Sequence, residues 1–213
     1  MFGQTLEKAP VRSHLVEFYD DATVLAAKVA DFAEPALRRN EAVVLIAIPR
    51  HLQLFKQTLQ ERGLPVDVIE TSGRLICLDA ARTLREFTTG GQVYWSRFEA
   101  SIGTTIGHMS HVHGKVRAYG EMVNLLWQEG FPSAAIELEG FWNRLGTLYP
   151  FSLFCAYSRK VFNFDRYAED VSSICAVHSH AYAESSDESF ERIVQKMLLA
   201  QMPGFPTEQG LAQ

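Results

Sequence analysis

Apolar residues in this chain fall into two kinds of run. One kind is short and continuous, bounded by polar residues. It comprises "HLVEFY" (His14 to Tyr19), Ala42 to Ile48, "RLICLD" (Arg74 to Asp79), the start of "KVRAYGEMV" and "FSLFCAY" (Phe151 to Tyr157). Runs of this length and character predict buried strands. "VDVIE" reads as a short edge strand. The other kind recurs at helical spacing. After Asp20 or Asp21, either a suitable N-cap, the positions Val24, Leu25, Val29, Phe32 and Leu37 predict a helix to about Asn40. Pro35 is expected to bend or divide it. Leu52, Phe55 and Leu59 predict a helix from about His51 to Arg62, closed by Gly63. Asp79 is positioned to cap a helix over Ala80–Phe87, and "TTGGQ" reads as a turn. Trp95, Phe98, Ile102, Ile106 and Met109 mark one face of a long helix over Val93 to His113, weakened by Gly103 and Gly107. "EMVNLLWQEG" and "PSAAIELEGFWNRLGTLYP" read as two helices parted by Gly130-Phe131-Pro132. Asp165 to about Cys175 is expected to be helical. A final helix from Ser186 or Asp187 to Met202 carries an apolar face of Phe190, Ile193, Val194, Met197 and Leu198, before a frayed tail from Pro203.

Strands alternating with helices predict an α/β fold with a mostly parallel sheet covered on both faces. Ligands in such sheets bind at the carboxyl ends of the strands. That directs attention to the residues after Ile48, Leu78, Ala118 and Cys155.

Composition narrows the function. With 213 residues, the chain is long enough for one α/β domain and an appendage. Its net charge of -5 and the lack of a Lys/Arg block argue against direct nucleic-acid binding. No apolar run approaches the ~20 residues of a membrane span, and "MFGQTLEKAPVRSH" has no signal-peptide core. Cys77, Cys155 and Cys175 lie in separate segments without a CxxC pair, which fits reduced thiols in a cytoplasmic protein.

The turn between Ile48 and the next helix is Pro49-Arg50-His51. A phosphate-binding loop there needs glycines, so that bare amides wrap the phosphates, a lysine, and a hydroxyl for magnesium. This turn has none of them, and Pro49 removes an amide besides.

The segments "HLVEFYDD", "NEAVVLIAIPRH", "RAYGEMVNLLWQEG", "AIELEGFWNRL" and "FSLFCAY", in that order, resemble the MEDS domain, the methanogen/methylotroph DcmR sensory domain. The resemblance runs from about Ser13 to Phe162. It implies a RecA/KaiC-like three-layer fold that has lost its P-loop, with residues 1–13 as an N-terminal arm, 14–162 as the sensory domain and 163–213 as a C-terminal helical extension. It also implies a non-catalytic sensor of small molecules, including hydrocarbon derivatives, that reports to a histidine kinase, response regulator or transcription regulator. The alternatives are a residual nucleotide-binding RecA-like protein that uses Arg50 and Glu121, and an interaction module that docks on a kinase or regulator through its C-terminal helix. Members occur alone or joined to DNA-binding or histidine-kinase modules, and neither a helix-turn-helix domain before His14 nor a kinase domain after Tyr157 is expected here. A homo-oligomer is compatible with the apolar face near the C-terminus.

The candidate ligand-binding residues are His14, Tyr19, Arg50, His51, Glu121, Glu139, Trp142, Asn143 and Tyr157. Glu121 follows a strand end, where a RecA-like ATPase carries a catalytic acid. Without a phosphate cradle it reads as a ligand contact or as a carboxylate that satisfies helix amides. Glu139 and Asn143 are spaced i,i+4 and Trp142 lies beside them, which suits a pocket wall as well as a core tryptophan with polar neighbours. Tyr157, at a strand end, is expected on the same edge. His14 and Tyr19 have odd separation and so point to opposite sheet faces. Arg50 could hold an anion at a helix N-terminus or be a solvated loop residue. No metal or other cofactor is expected beyond a small organic ligand. The alternative metal group is His108, His111 and His113, and "HSH" adds His178 and His180, with no Cys or carboxylate at a recognised spacing.

Overall fold

The computed structural model describes residues 6–162 and 167–183, and Val194. The expected final helix and tail otherwise lie outside the described residues. A six-stranded sheet runs in the order β3-β2-β6-β7-β1-β8, from β1 (His14–Tyr19), β2 (Ala42–Ala47), β3 (Leu75–Asp79), β6 (Val116–Gly120), β7 (Phe151–Ser158) and β8 (His180–Ala183). Every neighbouring pair is parallel. β2 and β7 are buried along their whole length, which is why their sequences are continuously apolar rather than alternating. β3 lies at the sheet edge, and beyond Leu75 it is only half-buried.

Helices cover both faces. On one, α1 (Ala22–Arg38), α2 (Pro49–Glu61) and α3 (Val66–Thr71) pack on Leu15, Val43, Leu45, Tyr119 and Phe154. On the other, α4 (Ala80–Phe87), α6 (Thr104–His113), α7 (Met122–Gln128), α8 (Pro132–Leu148) and α9 (Tyr167–Cys175) pack on Val16, Phe18, Val44, Cys155 and Tyr157. Asp21 caps α1 by accepting from the amides of Thr23 and Val24, and Asp79 caps α4 through Arg82 N–H.

Four expectations are corrected. "VDVIE" is helix α3: Val66 and Ile69 are buried while Val68 is exposed, a spacing of three that a strand does not give. Pro35 does not divide α1. It sits in the last turn, where its missing amide removes little helix beyond it. The long helix over Val93–His113 begins later. Gln92–Val93 is β5, paired antiparallel with β4 (Thr88–Thr89) across Gly90 and Gly91, both at positive φ. The helix then runs as α5 (Trp95–Phe98), a π-helical segment Glu99–Gly103 and α6. Finally, the segment after residue 163 is not an appendage alone: its strand β8 pairs with β1 at the sheet edge.

Trp142 on α8 packs edge-on against Phe98 at 5.1 Å between ring centroids and also meets Phe151. It is among the largest fully buried side chains. His108 and His111 are exposed on α6 and His113 is half-buried. We expect Trp142→Ala to cost ~3–5 kcal/mol in urea denaturation. The triple substitution of His108, His111 and His113 by Gln should change stability by no more than ~0.5 kcal/mol. An equal loss in the two variants would contradict this packing.

Candidate functional site

Two buried polar centres flank the sheet. The first lies at the carboxyl ends of β2 and β6. Glu121 follows β6 and is 1% exposed. Its Oε1 accepts the Ile48 N–H at 2.6 Å, and its Oε2 lies 2.7 Å from His51 Nδ1 and accepts the Tyr119 hydroxyl at 3.1 Å. The carboxylate therefore fills the turn between β2 and α2 from inside. Burial, followed by the charge of Glu121, pushes the Tyr19 and Tyr119 phenols up from their ordinary values. Outside this centre a groove of about 550 Å³ opens, lined in part by Tyr19, Asp21, Arg50, His51, Gln57 and Lys160. Arg50 is exposed on its wall.

The second centre lies on the opposite face, under α8. His14 begins β1, Cys155 lies in β7, Glu139 faces the sheet from α8, and His178 sits in the connection from α9 to β8. All four are buried, and their donor atoms lie within 4.8 Å of one another. Glu139, with 0% exposure, organises the group. Its Oε1 accepts the Tyr157 hydroxyl at 2.8 Å and lies 3.4 Å from His178 Nε2. Its Oε2 is 3.1 Å from His14 Nε2 and accepts the Cys155 thiol at 3.3 Å. The two imidazole rings pack 4.0 Å apart.

The partners of the outer ring nitrogens favour one assignment of the protons. Asn143 Nδ2 donates to the Val177 carbonyl, so Asn143 Oδ1 faces His14 Nδ1 and accepts from it at 2.8 Å. His178 Nδ1 donates to the Ile174 carbonyl at 2.7 Å. In the neutral rings both Nε2 atoms then present lone pairs to a carboxylate. His178 Nε2 has no hydrogen-bond partner among the described residues. Burial, followed by repulsion from His178, lowers the His14 pKa. Burial pushes the Glu139 carboxyl up, but His178 and His14, where an imidazole carries a second proton, outweigh it and hold it below the usual carboxylate range. Burial and then Glu139 push the Cys155 thiol and the Tyr157 phenol well up. The interior of the centre is thus rich in acceptors, with only the thiol hydrogen and the Tyr157 hydroxyl directed into it.

The nine residues singled out from sequence separate accordingly. Tyr19, Arg50, His51 and Glu121 gather at the first centre, and His14, Glu139, Asn143 and Tyr157 at the second. The sheet therefore parts Glu121 from Glu139, Asn143 and Tyr157, and Trp142 lies in the aromatic core. His14 and Tyr19 do face opposite sides. Cys155 and His178 were not among the site residues read from sequence. One sits inside an apolar strand and the other in a short polar connection, and only "HSH" hinted at the second. Among the described residues, the group able to share an ion is His14, Glu139, Cys155 and His178, and the expected alternative at His108, His111 and His113 does not assemble.

Comparison with solved structures places the fold. The chain is similar to the flagellar accessory protein FlaH from Methanocaldococcus jannaschii, with a TM-score of 0.55 and 11% identity over 82% of this chain and 72% of that one. It is also similar to the KaiC-like protein PH0186 from Pyrococcus horikoshii OT3, with a TM-score of 0.56 and 9% identity over 84% of this chain and 76% of that one. Comparison with curated proteins gave no match. The sequence pattern of the MEDS family, "MEthanogen/methylotroph, DcmR Sensory domain", matches residues 13–179, a span that reaches past Phe162 to include His178. The chain, with its KaiC-like α/β sheet, belongs to the MEDS family.

Proposed function

We propose that this chain is a non-catalytic sensory domain that binds a small molecule in the groove at the carboxyl ends of the strands. The observation that carries the reading is the Glu121 carboxylate in the β2–α2 turn, bonded to the Ile48 amide and facing His51. An anion already occupies the N-terminal end of α2, where a nucleotide-binding relative would receive phosphate. A phosphate directed at the Ile48 amide meets that carboxylate rather than a free donor. The groove beside it is open, of ligand-binding size and mostly polar. A small hydrocarbon derivative with a polar or anionic group fits this lining, with Arg50 and Lys160 as the cationic contacts opposite Asp20 and Asp21. The family's description as a sensory domain supports the same role. Output to a histidine kinase, response regulator or transcription regulator is part of the proposal.

Native mass spectrometry of the purified chain tests for a retained small molecule. Thermal shifts with short-chain alcohols, amines and carboxylates test the groove, since a ligand of the folded state raises the melting temperature. The Arg50→Gln variant should bind an anionic hit about tenfold more weakly, the scale of one charge-assisted hydrogen bond. ATP with magnesium should produce neither a thermal shift nor hydrolysis above background. Magnesium-dependent turnover that disappears in Glu121→Gln would overturn the non-catalytic reading.

A further inference from the structure

We propose that His14, Glu139, Cys155 and His178 are the ligands of a resident transition-metal ion, with zinc the best match. The argument is one of donors and acceptors. His14 and His178 both spend their Nδ1 hydrogens outward, on Asn143 Oδ1 and on the Ile174 carbonyl. Metal-bound histidines are held in this way, because the outward hydrogen bond fixes the tautomer and aims the other nitrogen. Both Nε2 lone pairs then point at the Glu139 carboxylate, at 3.1 and 3.4 Å. Lone pairs facing an anion in a buried site are unfavourable unless a proton or a metal ion lies between them, and a metal ion satisfies both rings and the thiol at once. His178 Nε2 is the clearest sign: it is buried, unbonded among the described residues and directed at the shared centre.

The spacing agrees. Tetrahedral bonds of ~2.0–2.1 Å to nitrogen and ~2.3 Å to sulfur set neighbouring ligand atoms about 3.3–3.6 Å apart. The distances are 3.4 Å from His14 Nε2 to Cys155 Sγ, 3.3 Å from Cys155 Sγ to Glu139 Oε2, and 3.1 Å from His14 Nε2 to that oxygen. A thiolate with two imidazoles excludes calcium and magnesium, which take oxygen ligands, and suits zinc. Binding displaces the thiol proton to solvent as the metal–sulfur bond forms. Tyr157, bonded to Glu139 Oε1, leaves Oε2 to the ion and orients the carboxylate. Four protein ligands leave no open coordination position, so the ion has a structural role. It would clamp α8 and the Val177–His180 connection onto β1 and β7, and through that connection fix the edge strand β8. Ser179, bonded to both the amide and the carbonyl of His14, already holds this connection in place.

The test is the metal content of the full, untagged chain, purified under reducing conditions without chelator. About one zinc ion per chain is expected. Unfolding with chelator and refolding with Co2+ should give the intense visible bands of a tetrahedral site and a near-ultraviolet thiolate-to-cobalt band, a readout that needs no variant. Asn143→Ala removes no ligand and should bind zinc about 10–100-fold more weakly. Cys155→Ser should lose the thiolate band, while the triple His108, His111 and His113 to Gln variant keeps both metal and spectrum. The proposal fails if the chain refolds without retaining Zn2+ or Co2+, if the cobalt spectrum shows no thiolate band, or if metal is lost with the three α6 histidines.

Discussion

A parallel sheet covered by helices on both faces leaves its inward side chains no route to water. Every polar group placed there must find its partners inside the protein, because burying an unpaired one costs several kcal/mol. Most strand positions avoid the problem by being apolar, as in β2 and β7. The exceptions therefore mark where something other than packing is at work. Glu121 at the end of β6 and Glu139 against the sheet from α8 are such exceptions, carboxylates with almost no exposure.

The two are accommodated differently. Glu121 has a partner for each oxygen: an amide and a hydroxyl donate to it, and His51 lies beside it. It ties β6 to the start of α2. Glu139 faces two imidazoles whose hydrogens are already committed elsewhere. Both carboxylates accept from the chain's own donors, but the second also has two buried imidazole nitrogens close beside it. The groove lies beside the first, at the strand ends where α/β folds bind ligands. The second lies away from those ends, where side chains from α8, β1, β7 and the α9–β8 connection converge.

This arrangement makes the C-terminal part of the domain more than an appendage. β8 extends the sheet, α9 contributes Val171, Ile174 and Cys175 to the core, and buried Val194 joins the same cluster. His178 lies between these elements. The family match, which extends to residue 179, spans the connection as well. The segment that completes the sheet edge is thus also the one that completes the buried centre.

Most strands, the main helices, their caps and the sheet's parallel character were legible along the chain. These depend on apolar periodicity and on short-range hydrogen bonds, both readable from neighbouring residues. The opposite facing of His14 and Tyr19 was legible too, because strand geometry has a fixed period of two. "VDVIE" was misjudged, since β-branched residues favour a strand while tertiary burial selected a helix. β8 was missed, because "HAYA" is too short to stand out from its polar surroundings. The buried centre was the least legible part. Its members come from four separate elements, with His14 and Glu139 separated by 125 positions and His178 39 further on, so no local spacing links them. Cys155 looked like one more apolar residue of an apolar strand. That these side chains meet follows from strand order and from the docking of α8 over β1 and β7, which set distances that sequence separation does not encode.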